Sequence, residues 1–83
     1  MRALHKAWSN TRPGQRLPWS RRVRWYQGTE DVRLQFDERT PEGRTKDEMT
    51  FTDKDEAQRI YDLYTEGGFN IADVPSMRED IFG

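Results

Sequence analysis

The residues best suited to chemistry in this chain are arginines interleaved with aromatic rings. Residues 1–27 carry Arg2, Lys6, Arg12, Arg16, Arg21, Arg22 and Arg24 and no acid, with Trp8, Trp19, Trp25 and Tyr26 among them. Guanidinium groups pair with phosphate oxygens and flat rings stack on bases, so this mixture suits a polyanion. The candidate nucleic-acid contacts are Arg16, Trp19, Arg21, Arg22, Arg24, Tyr26 and Arg33. The net charge of -1 conceals this asymmetry, because the other seven of the 14 basic residues share positions 28–83 with all 15 acids. A basic segment is thus attached to an acidic body, and it can equally fold back on that body. The acids support a second reading. Asp47, Glu48, Asp53, Asp55, Glu56 and Asp62 can imitate a phosphate backbone and occupy a basic groove on a host protein. The plainer alternative is a solvated face with acids gathered at a helix start.

Catalytic chemistry finds little support. His5 is the single histidine and there is no cysteine, so thiolate metal sites and disulfides are excluded. Ser9, Ser20 and Ser76 lack the context of a nucleophile, and no glycine-rich phosphate loop is present. Asp53, Asp55 and Glu56 are too few and too closely spaced for a calcium loop. The expectation is a non-enzymatic module without catalytic residues, metal ligands or cofactor. No apolar run is long enough for a membrane span or a signal-peptide core, so no membrane partner is expected and a cytoplasmic location is.

The elements that would position these side chains lie between residues 21 and 68. Over 21–27, Val23 and Trp25 alternate with Arg22, Arg24 and Tyr26, the period of a half-buried strand. Gly28 follows and offers an unusual backbone angle for a short connection. Over 31–37, Val32, Leu34 and Phe36 point in while Arg33, Gln35 and Asp37 point out. Residues 38–45 read as a polar loop with Pro41 and Gly43, and 46–51 as a third strand with Met49 and Phe51 inward. Thr52 or Asp53 can cap a helix whose Ala57, Ile60, Tyr61 and Tyr64 share a face, with Leu63 at its edge and Gly67-Gly68 at its end. The resulting expectation is an α+β fold: a three-stranded antiparallel meander with one helix across one face, βββα. Its core is drawn from Trp25, Leu34, Phe36, Phe51, Ile60 and Tyr61.

Residues 1–20 then form a basic N-terminal arm and 69–83 a C-terminal segment. Leu4 and Trp8 can share one short helical turn, but Pro13-Gly14 and Pro18 stop anything longer, so the segment before Leu17 is expected to be mobile without a partner. Phe69, Ile71 and Val74 suit an edge strand or an extended stretch packed on the core. Ser76 can cap a terminal turn, with Ile81 and Phe82 docked or held out for a partner. With 35% charged and 33% hydrophobic residues in 83, there is material for one small core and not for two.

The segment from Val32 to Tyr64 resembles the arm-type, three-stranded DNA-binding domain of phage integrases, also described as AP2-like. The resemblance rests on Phe36-Asp37-Glu38, Gly43-Arg44 and Thr50-Phe51-Thr52-Asp53-Lys54-Asp55-Glu56-Ala57, and covers under half of the chain. It implies DNA reading by the outer sheet face and a phage or mobile-element setting. On that face this chain offers Arg22, Arg24 and Arg33 beside Asp37 and Glu48.

Overall fold

Strict alternation over residues 20–51 builds the sheet. In the computed structural model, which describes residues 3–11, 14 and 18–77, Ser20–Gln27 (β2), Val32–Thr40 (β3) and Gly43–Phe51 (β4) form an antiparallel meander. Its register runs unbroken from Ser20↔Arg39 to Gln27↔Val32 and from Val32↔Phe51 to Thr40↔Gly43. One face therefore carries Val23, Trp25, Val32, Leu34, Phe36, Met49 and Phe51, all buried. All six residues expected in the core are buried.

The sheet has four strands, not three. Ala3–Ser9 (β1) pairs antiparallel with β2 at the edge, in the order β1-β2-β3-β4, where a helical turn and a mobile arm were expected. Two features disguise this strand. Its register shifts between Leu4 and Lys6, which breaks the period of two. One of its inward positions is also filled by a lysine. The Lys6 ammonium lies 4.5 Å from the Trp25 ring centre and 4.7 Å from that of Tyr61, and donates to Gln58 Oε1 at 2.6 Å. Cation–π contact and a neutral acceptor replace the apolar packing that alternation would call for. Trp8 meets Tyr64 edge-on at 6.2 Å. Beyond the strand, Asn10 N donates to Arg21 O and Arg21 N to Asn10 Oδ1, which extends the pairing by one step.

The polar stretch over 38–45 is likewise strand, closed by a tight turn at Pro41-Glu42. Gly43, with φ at 145°, takes the backbone angle that Gly28 does not need. Polarity does not prevent pairing here: Glu38 accepts from the Tyr64 hydroxyl and Ile71 N on the inner side, and Arg44 pairs with Asp37 on the outer.

Helix α1, Lys54–Thr65, starts where Asp53 Oδ1 accepts from Asp55 N at 2.8 Å. Its Ala57, Ile60, Tyr61 and Tyr64 are buried against the sheet, and Leu63 packs at the margin. Gly67, at φ 83°, ends it in the left-handed region. The following segment packs on the core through Phe69, Ile71 and Val74, as a short 3-10 helix, Ile71–Asp73, rather than a strand. The expected roles of Ile81 and Phe82 lie outside the described residues.

Phe36 sits at the centre, with its ring 4.9 Å from that of Tyr64 and 5.7 Å from that of Phe69. Phe36→Ala is expected to cost about 3–5 kcal/mol, a large part of the roughly 5–15 kcal/mol that holds a small domain. A thermal melt checks this, and a variant that melts with the wild type would refute the burial of Phe36.

Candidate polyanion-binding face

Because successive strand residues alternate, the side of the sheet away from α1 is set by the same register. Helix α1 and the 3-10 helix pack on the inner side, and no other described element covers the outer one. Cross-strand partners there form rows: Ser20, Arg39 and Arg44; then Arg22, Asp37 and Lys46; then Arg24, Gln35 and Glu48; then Tyr26, Arg33 and Thr50. Among the described strand residues, Arg22, Arg24, Arg33, Arg39, Arg44 and Lys46 thus share one surface with Asp37 and Glu48 as its carboxylates.

The charge pattern within the face is uneven. Arg44 Nε and Nη2 donate to Asp37 Oδ1 and Oδ2 at 2.9 and 2.6 Å, a two-pronged pair. These bonds hold the Asp37 carboxyl below its usual range, with Lys46 and Arg22 adding to the effect against the opposing pull of partial burial. Arg33 Nε lies 3.8 Å from Glu48 Oε2, too long for a hydrogen bond. A shallow depression of about 240 Å³ runs along the rows between Arg22, Arg24, Gln35, Asp37, Lys46 and Glu48, with Phe36 and Asp47 also in its lining. A second, of about 250 Å³, lies at the hairpin end between Ser20, Arg22, Asp37, Arg39 and Arg44.

Of the residues proposed from sequence as nucleic-acid contacts, Arg22, Arg24, Tyr26 and Arg33 come together on this face. Trp19, 47% exposed, precedes β2. Arg16 lies outside the described residues. Arg21 does not join them: it points inward. Its Nη2 donates to the carbonyls of Tyr64 and Phe69 at 3.1 and 2.7 Å, and its guanidinium lies 4.3 Å from the Tyr64 ring centre. Opposite it in the register, Glu38 Oε2 accepts from the Tyr64 hydroxyl and from Ile71 N, both at 2.9 Å. Burial, and then this bond to Glu38, push the Tyr64 hydroxyl well above its ordinary pKa. Arg21 is therefore a structural cation.

Arg39 and Arg44 are the residues that reading 38–45 as a loop leaves out. The signal for them was present: Arg33, Gln35 and Asp37 continue in phase to Arg39, and Thr50, Glu48 and Lys46 continue back to Arg44.

Of the acids proposed for a protein partner, Asp53, Asp55, Glu56 and Asp62 lie on or at the start of α1, and Glu48 lies apart from them. Glu48 belongs to the outer face, on the far side of the sheet from α1. Asp53 caps the helix, Glu56 pairs with Arg59, and Asp62 accepts from Gln58 Nε2 at 2.8 Å. Asp55 is exposed in the first helical turn. Asp47 Oδ1 accepts from the Glu48 amide at 2.8 Å. No group of acids and histidines among the described residues is arranged to hold a metal, and no described helix is long and apolar enough to cross a membrane. No protein-family model, curated protein or solved structure matches the chain, so the geometry of this face carries the functional reading.

Asp37 gives the face a measurable pH signature. A carboxyl whose folded pKa is depressed adds stability above its unfolded value, about 3.9, and that contribution is lost as pH falls through the folded value. The Asp37→Asn variant is expected to melt below the wild type at neutral pH, with the gap closing in acid. A gap that persists unchanged below pH ~3 would remove the ion pair as its cause.

Proposed function

We propose that this protein is a small non-enzymatic nucleic-acid-binding module that meets its ligand with the outer face of the sheet. The observation that carries the reading is the gathering of Arg22, Arg24, Arg33, Arg39, Arg44 and Lys46 on one side of the sheet that no described element covers. The helix on the opposite side carries Asp55, Glu56 and Asp62, with Asp53 at its cap. A polyanion orients such a molecule with the sheet toward it, since phosphate neutralisation by arginine and lysine releases counterions. The middle of the face suits base edges: Arg24, Gln35 and Glu48 stand side by side, the side-chain types that pair with guanine, adenine and cytosine. Tyr26 and Trp19 supply rings for stacking. The resemblance to the phage integrase arm-type domain points the same way, and with it a regulatory role in a phage or mobile element.

Anisotropy of labelled duplex and single-stranded oligonucleotides across a salt series tests the reading. Affinity is expected to fall steeply with salt. Arg24→Ala and Arg33→Ala should each weaken binding and lower the salt slope by about one for every phosphate contact removed. Neutralising Asp53 and Asp55 should leave binding intact or tighten it. No binding in dilute buffer, or weakening by the helix variants alone, would contradict the reading and favour a protein partner at the acidic helix.

A further inference from the structure

We infer that the depression at the hairpin end of the outer face is a phosphate site, formed by Ser20, Arg22, Arg39 and Arg44, in which Asp37 at the floor holds the Arg44 guanidinium that the ligand would take over. The register places Arg39 directly opposite Arg44, with Ser20 completing the row and Arg22 and Asp37 in the next. Like charges facing each other across a strand pair repel. Arg44 escapes that repulsion by turning its fork to Asp37, while Arg22 and Arg39 line the same depression. Several guanidinium groups therefore converge around a single carboxylate, leaving positive charge that one further anion would neutralise. The two-pronged geometry Arg44 adopts on the carboxylate is the one arginine uses on phosphate.

Size and access agree with a small oxyanion. The depression measures about 250 Å³, below the roughly 300–1,000 Å³ of drug-sized ligand pockets. The Arg44 side chain is 52% exposed, so it can swing from Asp37 to an incoming group, whereas the Asp37 side chain is only 16% exposed and stays at the floor. Asp37 then has two opposite effects. It adds stability by pairing with Arg44, and it competes with the ligand for the same guanidinium.

The inference rests on the nucleic-acid reading for the source of the phosphate, which is either an internal phosphodiester or a terminal phosphomonoester. The site itself is testable without nucleic acid. Inorganic phosphate is titrated into the full chain while the arginine Nε–Hε signals are followed by NMR. Saturable shifts are expected at Arg22, Arg39 and Arg44, with Arg59 on the helix unmoved. Asp37→Asn should tighten phosphate binding severalfold although it lowers stability, and Arg39→Ala should weaken it about tenfold or more. Arg44→Lys, which keeps charge but loses the fork, should weaken it as well. Shifts spread evenly over all arginines, or unchanged by Arg39→Ala, would overturn the site.

Duplexes with a 5′-phosphate or a 5′-hydroxyl then identify the source. Equal loss on both in Arg39→Ala and Arg44→Lys assigns an internal phosphodiester, and loss confined to the phosphorylated duplex assigns a terminal one. Wild type that takes phosphate but no nucleic acid would keep the site and reject the nucleic-acid reading. Wild type that binds duplex while these variants change neither titration would reject the site and keep the reading.

Discussion

The two faces of the sheet follow from the register of β2, β3 and β4. A strand residue points to one side or the other with a period of two, so a slip of one position would bring Arg22, Arg24 and Arg33 against the helix and turn Val23, Leu34 and Phe36 out to water. Burial of the apolar set makes that slip prohibitive and thereby also holds the cations in their rows. One charged pair enters the inner face, and it strengthens the same choice. Arg21 and Glu38 stand opposite each other, one bonded to two carbonyls beyond the sheet and the other to the Tyr64 hydroxyl and the Ile71 amide. These bonds tie β2 and β3 to the end of α1 and to the segment after it. Removing either partner would strand the other in a largely dry site, which is costly.

The same constraint separates the charges of a nearly neutral chain. Apart from Arg21, the cations on β2, β3 and β4 collect on the outer side, while acids at the helix start serve its dipole and cap on the other. The resulting molecule is two-sided, and the sidedness matters more for partner choice than the net charge of -1. Within the cationic side, Asp37 and Glu48 keep the field from being uniform. Asp37 holds Arg44 in a defined direction, which favours placement of individual phosphates over diffuse attraction.

Much of this was legible in the sequence, for reasons that differ by element. The α+β class, the inward phase of β2 and β3, the helix with its Asp53 cap, and the core residues all follow from local period and capping chemistry. The N-terminal strand was hidden because a register shift near His5 breaks its alternation and because Lys6 fills an inward position. The length of the β3–β4 hairpin was hidden because Glu38 looks like a loop residue until Tyr64 and Ile71, far away in sequence, provide its donors. With that hairpin went Arg39 and Arg44, two of the six cations of the face. Arg21 misled in the opposite sense. Its type suggested a phosphate contact, and only its odd position in the strand showed that it belongs inside.

The claim that the outer face is the working surface is tested most directly by two glutamine side chains on opposite sides of the molecule. Gln35 stands between Arg24 and Glu48 on the outer face, and Gln58 lies on α1, bonded to Lys6 and Asp62. Their side-chain amide signals can be followed in one NMR titration with duplex DNA at low salt. The expected result is a saturable shift of the Gln35 amide with Gln58 unmoved. A shift of Gln58 with Gln35 unmoved would contradict the assignment of the surface.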